Sequence, residues 1–281
     1  MSRTPDGPAR PPRMPSESPV DDVARSQGRA QTARLYNHLL GGKTNYQVDR
    51  EAAASLREAC PDLSLTVAAG QTYARAVAGH LTGLGVWQFL DLGTGIPLRP
   101  YLHETIESLA DDARTLYVDN DPMAEAYGQS FLTGNGFHFL EADVRDPGGL
   151  LAAVRRHGGI DLERPVALFI HGLLDFLADE EEPHGIVQAL LDGLAPDSYL
   201  SVTHHAADLT PDRAAVLVRA YQEHGIRFQP RTRDQVERFL SGLDAGTGLT
   251  TAHRWAPGPG RAPIPGGDDL VPLYAGVGRL P

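Results

Sequence analysis

From residue 86 onward, short apolar runs alternate with amphipathic stretches. "VWQFLDLGTG", "RTLYVDND", "FHFLEADV", "PVALFIHG" and "SYLSVTHHA" each hold a brief hydrophobic core bounded by Asp, Asn, Gly or Pro. Runs this short, bounded by turn residues, read as strands. Helical patterns fall between and after them, near residues 98–110, 122–133, 147–157, 183–194, 211–224 and 232–241. Apolar strands alternating with helices predict a mostly parallel sheet covered on both faces. Two late strand candidates, "GLTTAHRW" and "LYAGVGRL", have no helix between them. Without a helical crossover they are expected to pair antiparallel at the sheet edge. The predicted fold class is α/β, with seven strands and helices on both faces.

The first part of the chain has a different texture. Residues 1–28 are rich in Pro, Ser, Gly and Arg with almost no apolar periodicity, the signature of a disordered tail. Helices follow: "TARLYNHLL" sets Leu35, Leu39 and Leu40 on one face, "VDREAAASLREA" is a strong helix former, and "TVAAGQTYARAVAGHLTGLG" continues the pattern. The expected organisation is a tail over 1–28, an N-terminal helical cap over 29–84, and an α/β core over 85–281.

Composition narrows the function. The 281 residues carry a formal net charge of -11. Such a body repels a phosphate backbone, so no nucleic-acid partner is expected. No apolar run approaches the roughly 20 residues of a membrane span, and there is no apolar signal core. With Cys60 as its only cysteine, the chain is expected in the cytoplasm, without a disulfide.

"FLDLGTGIP" is the most informative motif. Gly93-Thr94-Gly95 follows the first strand, where ligands of open α/β sheets bind. A dinucleotide fingerprint would continue to a third glycine, but Leu98 stands there. Asp91 just before the turn would repel a pyrophosphate and suits a cationic ligand such as S-adenosylmethionine (SAM). The second strand ends at Asp119, placed to accept ribose hydroxyls, with Asn120 beside it and Asp121 able to cap the next helix. The third ends at Asp143, suited to the adenine amino group, with the Val144 amide able to donate to a ring nitrogen.

These three strand ends resemble the first three motifs of the Rossmann-like SAM-dependent methyltransferases. More narrowly, "ARLYNHLLGGKTNYQVDR", "QFLDLGTGIP", "YVDNDP", "DVRDP" and "DLERPVAL" are similar to an actinobacterial methyltransferase family, DUF574. The likeness runs from Ala33 to Arg279. The resemblance implies the Rossmann-like seven-stranded methyltransferase sheet with its last strand antiparallel, and SAM as cofactor. It also implies that Asp91, Gly93, Thr94 and Gly95 face the methionine part of SAM. After the fourth strand the family commonly shows a Leu-His-Phe run, whereas this chain has "LLDFL" with Asp175.

For the acceptor side the candidates are His171, Asp175, His204 and His205. His204 is preferred and His171 comes second. Alternating side-chain direction forbids His204 and His205 from both facing the cleft. "GGKT" at 41–44 holds the chain's single lysine, yet it is no P-loop, because that motif's first glycine falls on Asn37. The Gly41-Gly42 break is expected to fold the cap across the cleft, with Tyr36, Lys43, Asn45 and Tyr46 lining an acceptor pocket. No metal site is expected; "DEEEP" at 179–183 reads as a solvated acidic helix start. The leading function is SAM-dependent methyl transfer to a small molecule. The alternatives are a SAM sensor without catalysis and an NAD-dependent oxidoreductase.

Overall fold

The computed structural model describes residues 28–131, 136–246, 248–256 and 267–281. The expected disordered tail lies outside these residues except for Gly28. Two helices come first, α1 (Thr32–Leu39) and α2 (Gln47–Ala59), followed by the long α3 (Leu63–Gly83). The α/β alternation then runs β1 (Gln88–Leu92), α4 (Leu102–Glu107), β2 (Arg114–Asp119), α5 (Pro122–Phe131), β3 (Phe137–Glu141), α6 (Pro147–His157) and β4 (Ala167–His171). It continues with α7 (Pro183–Leu191), β5 (Tyr199–His205), α8 (Pro211–Glu223), α9 (Arg233–Glu237), β6 (Thr250–Thr251) and β7 (Leu273–Arg279).

The sheet order is β3-β2-β1-β4-β5-β7-β6. The first five strands are mutually parallel, and β7 lies antiparallel between β5 and β6. The strand order reverses between β1 and β4, so a crevice opens above those two strands. β6 shrinks to two residues because a 3₁₀ turn, Ala252–Arg254, takes over the second half of its apolar run.

Strand periodicity sorts the side chains onto two faces. Leu90, Leu116, Leu168 and Val202 join α6 and α7 in one core cluster. Phe89 and Phe169 join Tyr73, Val77 and Leu81 of α3 in another. The expected cap of residues 29–84 therefore divides. α3 is a sheet-packing helix, while Leu35 of α1 and Leu56 of α2 pack with Leu217 and Tyr221 of α8.

The α1–α2 pair is locked by a buried ion pair, Arg34 Nε to Asp49 Oδ2 at 3.1 Å. Asp49 also accepts from the Gln31 and Tyr46 backbone N–H groups, at 3.0 and 2.8 Å. The loop between the two helices is knit around Asn37. Its Oδ1 accepts from Thr44 N and Asn45 Nδ2, and its carbonyl accepts from Gly42 N.

One side chain organises the segment after β4. Arg231 is 1 % exposed and all five of its donors are used. Nε and Nη2 reach Asp179 Oδ1 at 3.2 and 2.7 Å, and Nη2 also reaches the Leu177 carbonyl at 2.9 Å. Nη1 donates to the Leu174 carbonyl and to His204 Nε2, each at 2.9 Å. The acidic run is thus not merely solvated: Asp179 is held by Arg231, and Glu181 by Arg145 and Arg227. Arg231→Met would strand three buried acceptors, each worth about 1–3 kcal/mol when left unpaired. We expect urea denaturation to show a loss of about 3 kcal/mol or more, with Arg231→Lys recovering only part because an ammonium has three donors.

Candidate active site

The glycine turn is stitched to the end of β2. Gly93 N and Thr94 N donate to the Val118 carbonyl at 2.8 and 3.2 Å, and Gly95 N donates to Asp119 Oδ2 at 2.7 Å. Gly93 and Gly95 have φ of +69° and +63°, a conformation that glycine adopts without a Cβ penalty. A Cβ at Gly93 would also lie 2.8 Å from Leu173 Cδ1, and one at Gly95 would sit 3.6 Å from the Ala33 backbone. The turn is therefore pressed between the β4 loop and α1. It does not lead straight into a helix, since Pro97 and Pro100 intervene before α4 begins.

A cavity of about 740 Å³ opens above this turn. All the expected cofactor residues line it: Asp91, Gly93, Thr94, Gly95, Asp119, Asn120, Asp143 and Val144. Burial pushes the Asp91 carboxyl up to about 7, opposed by the Thr94 hydrogen bond and reinforced by the charge of Asp119. Burial likewise pushes Asp119 up to about 6, opposed by backbone N–H groups of Asp121 and Gly95. Both carboxyls resist ionisation because they are buried, so a cation beside them would favour their charged forms. Each Asp119 oxygen accepts one backbone hydrogen bond, which leaves lone pairs for a diol. Asp121 caps α5 through Met123 N at 2.9 Å.

At the end of β3, Asp143 accepts from Arg145 N at 3.0 Å and pairs with Arg145 Nη1 at 3.1 Å. Arg145 continues to Glu181, which also holds Arg227. The Val144 N–H makes no hydrogen bond among the described residues, although Val144 is 7 % exposed. An orphaned buried donor there fits a ring nitrogen.

The acceptor side departs from the sequence reading. His204 is turned away from the cavity. It is fully buried, with Nδ1 3.0 Å from both Asp175 Oδ1 and the His205 carbonyl, and Nε2 accepting from Arg231. Since a guanidinium only donates, His204 is neutral with its proton on Nδ1, a structural bridge. Register explains the choice: Asp91 aligns with Phe169 of β4, and Phe169 with Ser201 of β5. Residues 171, 201, 203 and 205 therefore share the face of Asp91, and it is His205 that lines the cavity. His171 lines it too, its Nε2 2.8 Å from Ser201 Oγ, which lies 3.2 Å from the Tyr73 hydroxyl. Burial holds His171 down to about 3 and His205 to about 4, so both are neutral at physiological pH.

Of the expected cap residues, Tyr36 lines the cavity but Lys43, Asn45 and Tyr46 do not. Lys43 is exposed. Asn45 binds Asn37, Gly42 and Arg50, and Tyr46 lies under the Arg34 guanidinium. An aromatic wall replaces them. Phe176 meets Tyr36 and Tyr221 edge to face, at 5.9 and 5.8 Å, and Phe228 meets His205 at 5.4 Å. Sequence reasoning also missed Arg75. This half-buried arginine of α3 lines the cavity and has Thr72 Oγ1 as its hydrogen-bond partner, with no carboxylate partner among the described residues. Its place on the α3 row Val67, Gln71, Arg75 follows from helical spacing, but what that row looks onto does not.

Among the described residues no group of three or more His, Cys, Asp or Glu is placed to hold a metal, and no helix is long and apolar enough to cross a membrane. No curated protein matches the chain. Among solved structures it is similar to a DUF574 family protein from Streptomyces avermitilis MA-4680, at 33% identity with a TM-score of 0.83, covering 91% of this chain and 99% of that one. It is also similar to a candidate methyltransferase from Thermobifida fusca YX, at 30% identity with a TM-score of 0.84, covering 92% and 97%. Residues 21–281 match the family described as S-adenosyl methyltransferase. The chain therefore belongs to the S-adenosyl methyltransferase family and is a SAM-dependent methyltransferase.

Proposed function

We propose that this methyltransferase acts in the cytoplasm on a small-molecule acceptor, held in the same cavity as the cofactor. The observation that carries this reading is the continuity of the cavity: the strand-end carboxylates Asp91 and Asp119 and the ring of Tyr36 line one space. Its volume of about 740 Å³ lies in the range of small-molecule sites. Bound there, SAM supplies an electrophilic methyl group on a sulfonium.

The chain's own residues bind and orient. Asp119 accepts the ribose hydroxyls, and Asp143 with the Val144 N–H takes the adenine edge. Asp91 takes the methionine ammonium, while the Arg75 guanidinium takes the carboxylate at the other side of the same group. Leu173 and Ala33 pack on the glycine turn and exclude water from it. His171 and His205, both neutral, serve as hydrogen-bonding wall rather than as strong bases. Positioning supplies most of the acceleration in such a site.

SAM and S-adenosylhomocysteine should bind in a calorimetric titration while NAD does not. Asp119→Ala should weaken SAM at least tenfold, the scale of one charge-assisted hydrogen bond. Preferential NAD binding would overturn the assignment. Arg75→Met should weaken SAM about tenfold yet leave methylthioadenosine, which lacks the carboxylate, unchanged. Equal losses for both ligands would remove Arg75 from this role.

The raised carboxyls also set a pH dependence. The folded protein keeps protons on Asp91 and Asp119 that the unfolded chain releases near pH 4, so its stability falls as pH rises from about 4 through 7. A cationic ligand favours the ionised carboxyls. SAM affinity should therefore rise between pH 5.5 and 7.5 with proton release, and Asp91→Asn should flatten that rise.

A further inference from the structure

Asp175 is a cavity carboxylate from the loop after β4, and the family resemblance supplies no role for it. It is 2 % exposed, yet it lines the cavity. Its Oδ1 accepts from the His205 backbone N–H at 2.8 Å and lies 3.0 Å from His204 Nδ1, whose own hydrogen bond goes to the His205 carbonyl. Nothing among the described residues hydrogen-bonds its Oδ2, and that atom is not among the buried polar atoms sealed away without a partner. The carboxylate is also held still. Its own carbonyl accepts from Gln229 N at 2.7 Å, and the carbonyls of Leu174 and Leu177 on either side are fixed by Arg231.

Among the described residues no charged Lys or Arg lies within ion-pair distance of it. His204 is neutral, with Arg231 on its far nitrogen. His205 is pushed far below neutrality by burial. The Tyr36 phenol is driven up by burial and further by the charge of Asp175, and it is bonded to the Tyr221 hydroxyl at 3.2 Å. Arg227 is taken by Glu181 at the rim. A carboxylate buried without a paired cation is costly. Here one oxygen is satisfied by a fixed backbone donor, and the other, on a residue that lines the cavity, has no hydrogen-bond partner among the described residues.

We propose that Asp175 recognises the acceptor, and that the acceptor is an amine attached to an apolar or aromatic body. The proposal rests on the methyl-transfer reading above and deepens it. The amine arrives as an ammonium and pairs with Asp175 Oδ2, while its body lies against Tyr36 and Phe176. Asp175 takes one proton from it. The freed nitrogen lone pair forms the new N–C bond as the C–S bond breaks, and the electron pair of that bond stays on sulfur. The methylated ammonium then loses its surplus proton to solvent, and Asp175 returns its own proton as the product leaves. A neutral alcohol would leave the buried charge uncompensated, and a carboxylic acid would repel it.

The test uses phenethylamine, 2-phenylethanol and phenylacetate as probes. Each is titrated into the full-length protein saturated with S-adenosylhomocysteine, and each is then offered as acceptor with methyl-labelled SAM. We expect the amine to bind at least tenfold more tightly than the alcohol or acid and to be the labelled product. Asp175→Asn should abolish that preference while SAM binding stays within twofold. The Asn keeps an oxygen for the His205 N–H, so unchanged SAM affinity certifies its fold, and Asp175→Ser provides a second variant. Equal or better binding of the alcohol or acid overturns the proposal. So does an Asp175→Asn protein that binds the amine like the wild type, or the absence of amine binding to a wild-type protein that binds SAM normally. Failure of the wild type to bind SAM would strike the cofactor reading instead.

Discussion

The side of the cavity built by the loop after β4 depends on one buried guanidinium. Arg231 sits outside the cavity, yet it grips the Leu174 and Leu177 carbonyls, Asp179 and His204 together. These groups belong to the loop after β4 and to the end of β5, segments with no regular ladder between them at that height. A planar group with five fixed donors is suited to joining them, where a flexible ammonium is not. Because the loop is fixed, Leu173 stays on the glycine turn, Asp175 stays beneath the cavity and Phe176 stays against Tyr36. The cofactor half relies instead on backbone geometry, with the Asp119 carboxylate bridging the Gly95 and Asp121 amides. The two halves are built by different means, one by strand ends and the other by a side-chain clamp.

This difference explains what could be read from the sequence. Strand ends carry local signals: an apolar run, an Asp and a glycine turn follow one another in the chain. Asp91, Asp119 and Asp143 were therefore legible, and all three line the cavity. The parallel run of strands and the antiparallel pair at the end followed from the alternation pattern and the missing crossover helix, whereas the order of strands in the sheet was not legible. The acceptor side was not local. Whether His204 or His205 looks into the cavity depends on the register of β5 against β4 and β1, which no short stretch encodes. One residue of register moves every side chain to the other face, and the preference for His204 fell on the wrong side of that rule.

The lone lysine misled in a different way. Rarity drew the eye to Lys43, but the group that builds its loop is Asn37, an ordinary helix residue in sequence. Asn37 holds three donors of the loop, and Lys43 is left in solvent. Arg75 shows the converse. It is one of many arginines and carries no motif, and its meaning comes from lining the cavity with no acidic partner among the described residues.

α1 belongs to both halves at once. Ala33 lies over Gly95, and Tyr36, one turn further along, faces the ring of Phe176. The helix cannot shift against one half without shifting against the other, because Arg34 and Asp49 fasten it to α2. Occupancy of either half thus biases the same rigid element. By linkage, whatever free energy the cofactor contributes to ordering α1 for the acceptor, the acceptor returns in equal measure to the cofactor. A cofactor and an acceptor bound in these two halves would be coupled through a single helix, without a second site or a change of fold.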